Sequence, residues 1–238
     1  MINKIIQFSI NNPNIKIFLT MLMVTSLLFS YTNKPSFSEN TNDDLEIIKI
    51  NLIEDQNKYK HLIGIIQNNG NKTTNQIIVS TNFLDVNKKS IGNFSKQTEL
   101  RALNPNEITP FDILIFDKKI NEKINDYLVN VKYNITNPKD KKLVIVSDNS
   151  KLEITGFYFI NGDILNTGDL YSVNTNVISI VYNKNNEMIG VWEALTEPFD
   201  IPPSTTASFT IPITDKTQNF QISNYTLLTE SGNYSISD

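Results

Sequence analysis

From Leu45 onward the apolar positions fall into short runs separated by turn-forming residues. "LEIIKINLI" (45–53) alternates in part. "KYKHLIGIIQNNG" (58–70) ends in Asn-Asn-Gly, a strong turn signal. "NQIIVSTNFLDVNKKSIG" (75–92) is rich in β-branched and aromatic residues, then breaks between Asp85 and Ser90. In "ITPFDILIF" (108–116) the residues Phe111, Ile113 and Ile115 share one face. In "NDYLVNVKYNIT" (125–136) Tyr127, Val129, Val131 and Tyr133 do the same. Period-two runs bounded by Gly, Asn, Asp or Pro predict strands, and their spacing predicts an all-β sandwich or barrel. No amphipathic helix is predicted after residue 40, although "ELRALNPNE" (99–107) could form a single helical turn.

The same pattern is written twice. Shifted by 98 positions, residues 62–118 align with 160–216 without a gap, and 16 of the 57 pairs are identical. Among them are Gly64 with Gly162, Asn68 with Asn166, Gly70 with Gly168, Ile91-Gly92 with Ile189-Gly190, Pro105 with Pro203, Phe111 with Phe209, and Asp117-Lys118 with Asp215-Lys216. These fall on turn residues and on alternating apolar positions, which a duplicated β domain would retain. The predicted fold is therefore all-β: two tandem immunoglobulin-like β-sandwiches, residues 41–136 and 137–238, joined by the polar stretch "NITNPKDKK" (134–142). One larger sandwich or barrel is the competing layout.

The segment before these repeats differs. Lys4 and Lys16 precede Ile17–Tyr31, which carries no charge, within the apolar run Ile15–Thr32. Such a run behind positive residues predicts a signal peptide or membrane anchor, followed by a polar linker, over residues 1–40. The bases on its N-terminal side place the bulk of the chain outside the cytoplasm, secreted or held at the membrane by that helix.

Composition narrows the chemistry. A net charge of -4 and scattered lysines exclude a phosphate-tracking surface, so no nucleic-acid partner is expected. The absence of cysteine removes disulfides, thiolate metal sites and cysteine nucleophiles. The single histidine, His61, sits beside Leu62 with no nucleophile elbow and reads as a surface or edge-strand residue. With one His and no Cys, no zinc site is expected. Asp85-Val86-Asn87 and Asp163 through Asp169 lack the dense carboxylate run of a calcium loop and read as turn chemistry. No phosphate-binding glycine loop is present. Phe94 and Trp192 hold matching positions after Ile-Gly and read as core aromatics, with exposed ligand contact as the alternative; Tyr182 is a second candidate for such contact. No catalytic, cofactor-binding or metal-ligating residue is assigned, and no cofactor is expected. Five N-x-Ser/Thr sequons mark candidate glycosylation sites: Asn71, Asn93, Asn134, Asn224 and Asn233.

"HLIGIIQNNGNKTTNQIIVSTNFLDVNKKSIG" (61–92) and "LNPNEITPFDILI" (103–115) together resemble the FxLYD-type domains of prokaryotic cell-envelope proteins. The matching features are apolar-x-Gly-x-apolar-x-Asn, the turn Phe83-Leu84-Asp85, Ile91-Gly92, Pro105-Asn106 and a Phe-led strand. The second copy has Val181-Tyr182-Asn183 and Pro203-Ser204 and departs further. The resemblance implies secreted or membrane-attached immunoglobulin-like domains without established chemistry. The expectation is a non-enzymatic envelope protein with a protein partner there and a membrane contact through its N-terminal segment. The alternative is a small-ligand or carbohydrate binding module accessory to a transporter or surface assembly.

Overall fold

The computed structural model describes residues 44–236. The apolar segment Ile15–Thr32 and the linker after it lie outside the described residues. The described chain is all-β.

Fourteen strands follow one another: β1 (Leu45–Glu54), β2 (Lys60–Asn68), β3 (Thr74–Leu84), β4 (Ser90–Gln97), β5 (Ala102–Leu103), β6 (Ile108–Ile115), β7 (Asp126–Ile135), β8 (Asp140–Leu152), β9 (Tyr158–Asn166), β10 (Asn176–Asn183), β11 (Met188–Leu195), β12 (Thr206–Ile213), β13 (Ile222–Glu230) and β14 (Tyr234–Ile236). One-turn helices α1 (Lys118–Asn121) and α2 (Lys216–Asn219) precede β7 and β13. The sequence reading had no helix here. Each is started by an aspartate side chain, Asp117 or Asp215, that accepts from backbone N–H groups of the first turn. The turn anticipated within 99–107 is instead the two-residue strand β5. The polar linker also shrinks, since β7 and β8 leave only residues 136–139 between them.

Antiparallel pairing gives a sheet β1-β2-β6 and a sheet in which β3 lies between β4 and β7, with β5 at its end. A third, seven-stranded sheet runs β11-β10-β13-β14-β8-β9-β12; in it β14 joins β13 to β8. The local geometry recurs at the spacing read from the sequence. Gly64 lies opposite Phe111 and Gly162 opposite Phe209, and in both places a Cβ would collide with the ring. Among the described residues, the eight with positive φ form four pairs 98 apart: Lys58 with Gly156, Gln76 with Asn174, Lys88 with Asn186, and Asn106 with Ser204.

Asn68 and Asn166 show why an asparagine stands at both places. The Asn68 amide donates to the carbonyls of Lys72 (2.8 Å) and Leu103 (2.9 Å), and its Oδ1 accepts from the Gly70 N–H (3.0 Å). Asn166 repeats this on Leu170 (2.7 Å), Ile201 (2.9 Å) and Gly168 (2.9 Å). Both side chains are fully buried. Asn166→Ala strands three backbone groups away from water and is expected to cost about 3 kcal/mol, because an unsatisfied buried group costs ~1–3 kcal/mol. A urea unfolding curve checks it; a loss below about 1 kcal/mol, the net worth of one ordinary hydrogen bond, would contradict the role.

The two halves differ in what their sheets face. On β2, Leu62, Gly64 and Ile66 point with Phe111 toward β3, where Val79 and Phe83 share their core. The opposite face of the same sheet carries Ile63 (0% exposed), Ile65 (2%) and Pro110, and these are buried too. They meet Ile178, Ile180, Tyr182, Met188 and Leu228 from the outer face of β11-β10-β13, and one continuous apolar cluster runs through all three layers. The inner face of β10, with Val177 and Val181, packs on Ile160, Phe209, Ile211 and Ile213 in a second core. Strands β2 and β10 are therefore buried on both sides.

The outermost faces are polar. Ser80 and Asn82 on β3 stand 98 positions before Ile178 and Ile180, and they hydrogen-bond Ser95 and Ser90 instead of meeting another sheet. Asn161 and Asp163 on β9 stand 98 positions after Ile63 and Ile65, and they bond Thr210, Ser147 and Ser208. Each half presents one apolar outer face to the other and one polar outer face to solvent.

Candidate cleft between the two halves

At one edge of this stacked contact lies a cleft of about 250 Å³. The turn after β1 (Asp55–Asn57), His61 of β2 and Asp112 of β6 form one wall. Gly190 to Trp192 of β11 and the start of α2, with Asp215 and Gln218, form the other. The walls are tied together: Gln56 N–H donates to Asp215 Oδ2 (3.2 Å), and Lys216 N–H donates to Gln56 Oε1 (3.2 Å).

His61 is not on an edge. Strand β2 is central in its sheet, and the imidazole is 18% exposed. Register pairs His61 with Leu114, two residues from Asp112, so both side chains lie on the face turned toward the second half. Nδ1 lies 2.8 Å from Asp112 Oδ1, which makes it the donor and fixes the tautomer of the neutral ring. Nε2 is shielded from solvent and has no hydrogen-bond partner; Asp55 Oδ2 is 3.8 Å away. Burial, the largest single influence, pushes the imidazole toward its neutral form. The Asp112 hydrogen bond and charge and the nearby Asp55 together outweigh it, and its pKa is raised.

The raised value fixes a sign. Folding favours protonated His61, so its contribution is fully present below the ordinary histidine value and is lost as pH rises through the folded one. Because the chain has a single histidine, its ring protons give an unambiguous NMR titration. The expected midpoint lies above that of a histidine in unfolded peptide, and Asp112→Asn should bring it down. A midpoint at or below the peptide value would contradict the arrangement.

Trp192 is half-buried. It packs on the second core, and its Nε1 donates to Gln218 Oε1 (2.9 Å) while the residue lines the cleft. It is thus a core aromatic with one side turned to the cleft. Phe94, its counterpart, packs edge-on against Phe83 at 5.7 Å in the first core. Tyr182 is buried, with the Lys49 ammonium 4.7 Å from its ring centroid. It does not line the cleft.

Two carboxylates of the cleft are partly engaged in shaping the backbone. Asp55 Oδ1 accepts from the N–H groups of Asn57 (2.9 Å) and Tyr59 (2.8 Å). Asp215 Oδ1 accepts from Thr217 N–H (2.7 Å). Asp85 makes the same kind of turn with Asn87 and Lys89, as expected. Asp163, in contrast, is on β9 rather than in a turn. Thr214 is the sole hydroxyl among the residues lining the cleft, and no group of three metal-ligating side chains is found among the described residues. The five sequon asparagines, Asn71, Asn93, Asn134, Asn224 and Asn233, are all exposed and lie away from the cleft.

No known protein family matches the chain, and no curated protein does. Among solved structures, an exo-chitosanase of Amycolatopsis orientalis aligns at 11% identity and a TM-score of 0.28, over 78% of this chain and 26% of its own. A red sea bream transglutaminase aligns at 7% identity and a TM-score of 0.25, over 81% of this chain and 32% of its own. The chain spans a quarter to a third of the length of these proteins, and likeness at that level carries no argument about activity.

Proposed function

We propose that this chain is a non-enzymatic protein of the cell envelope. Its N-terminal segment takes it across the membrane or anchors it there, and its halves are tandem immunoglobulin-like β-sandwiches of the FxLYD type that act outside the cytoplasm as one rigid interaction module. The observation that carries this reading is the mutual burial of one apolar outer face from each half. It spends the large apolar surfaces on internal rigidity and leaves polar outer faces rich in Asn, Ser and Thr.

The absence of cysteine makes a direct test available. Ser95→Cys places one thiol on the exposed outer face of the first half. In intact cells making the full chain, a membrane-impermeant maleimide is expected to label it. Labelling only after lysis would sink the extracytoplasmic reading.

A second reading, a module that binds a small ligand, is favoured by one observation: Trp192 lies beside polar groups in a concave site.

A further inference from the structure

The negative charge of the cleft exceeds what its own side chains neutralise. Asp55, Asp112 and Asp215 reach it from three separate segments, and neither lysine nor arginine is among the residues that line it. Asp112 and Glu193 both set like charge against Glu99, while Lys96 is held by Glu99 at 2.7 Å. The only lining side chain able to carry a positive charge is His61. Carboxylates cost free energy when gathered out of water unless a cation joins them.

Three features select the kind of cation. The acidic side chains are too spread to close around a metal ion, since no metal-ligating group of three is found among the described residues. The indole of Trp192 supplies an aromatic wall, the best of the side-chain rings for attracting a cation. At ~30 Å³ of liquid volume per water, the space equals that of about eight waters, room for a small organic group rather than a chain of residues.

The geometry points to this cleft as a binding site for a small organic cation bearing N–H donors, such as a primary ammonium or a guanidinium. The inference rests on the ligand-binding reading above. Protonated His61 and the bound cation then compete for the same carboxylate field. The two halves supply the site jointly, so it exists only while they are stacked.

The full chain carries two native reporters here, its one tryptophan and its one histidine. Methylguanidinium chloride and ethylammonium chloride are titrated against tryptophan fluorescence and the His61 ring signals, with glucose and magnesium chloride as comparisons. Saturable changes in both reporters with the two organic cations are expected, together with a lower His61 titration midpoint when they are bound. Affinity should rise by about fivefold or more between pH 5.5 and 8.5 as the competing proton leaves. Asp55→Asn keeps the turn acceptor but removes its charge, and should weaken binding by about tenfold. Saturable binding of glucose alone would overturn the cation assignment and leave the ligand-binding reading standing. Binding of none of the probes would overturn both. Equal responses to magnesium, or an undiminished response in Asp55→Asn, would reduce the effect to charge screening and also overturn the assignment.

Discussion

Ile65→Asp will cost the fold about 4 kcal/mol or more and release the two halves from each other. Ile65 is 2% exposed and lies in the apolar layer between β1-β2-β6 and β11-β10-β13. The cation across from it on β1, Lys49, is already held over the Tyr182 ring and on the Asn186 carbonyl (3.2 Å), and a buried charge without a committed partner is among the few single changes that cost ~3–5 kcal/mol. The second half already carries aspartate at the corresponding place: Asp163 faces outward and accepts from Ser147 and Ser208 at 2.8 Å each. The substitution therefore writes an outer-surface residue onto an inner face. Urea unfolding should change from one transition to two, and the His61 ring should move toward an ordinary titration as its wall departs. The reciprocal change, Asp163→Ile, should leave stability within about 1 kcal/mol, the usual range for an exposed site, but give the outer sheet an apolar patch that promotes association. Analytical ultracentrifugation reads that arm. A single unshifted transition for Ile65→Asp would contradict the face-to-face packing.

The strand pattern was legible because period two needs only local residues, and the 98-residue spacing was legible because identities sit at turns and core positions. Asn68 and Asn166 are identical because each bridges two backbone carbonyls and an N–H in the same geometry. What escaped was carried by the differences at matched positions. Ile63 and Ile65 oppose Asn161 and Asp163, and Ser80 and Asn82 oppose Ile178 and Ile180. Each swap exchanges apolar for polar on one outer face, the trace that one copy's front packs on the other's. The apolar run Val177–Tyr182, interrupted only by Ser179, was a second sign, since strands buried on both sides lose their alternation. The cleft had no local signature. His61 and Asp112 are 51 residues apart, and Gln56 and Asp215 are 159 apart. Their meeting depends on sheet register and on the stacking of the halves. The one-turn helices were written only as Asp-Lys pairs, Asp117-Lys118 and Asp215-Lys216, too short for any periodicity to show.

The opposite end of the inter-half contact holds its own charge, and its removal should produce a loss that acid repairs. Glu230, at the end of β13, has a side chain 7% exposed and is paired with Lys139 from the connection between halves, itself 15% exposed. Lys139 Nζ also donates to the Ser231 carbonyl (2.6 Å), and Arg101 N–H donates to Glu230 Oε2 (3.0 Å). Burial raises the Glu230 pKa, and the Lys139 charge and hydrogen bond and the Arg101 N–H pull against that rise without cancelling it. The folded protein therefore holds this proton more tightly than the unfolded chain does. Stability from this group is fully present below the ordinary glutamate range and declines as pH climbs through the folded value. Lys139→Met removes the main counterweight while keeping the aliphatic stem. At neutral pH it leaves a buried, uncompensated carboxylate, expected to cost about 3–5 kcal/mol. Its folded pKa moves further up, so the deficit should widen over a broader pH range and close again in acid, where Glu230 is neutral in both states. Adding Glu230→Gln should recover much of the loss at neutral pH, because the interaction belongs to the pair rather than to either partner. Urea midpoints from acid to neutral pH for the single and double variants decide it. A deficit in Lys139→Met that is the same at every pH, and unchanged by Glu230→Gln, would mean that Lys139 acts through its packing and not its charge.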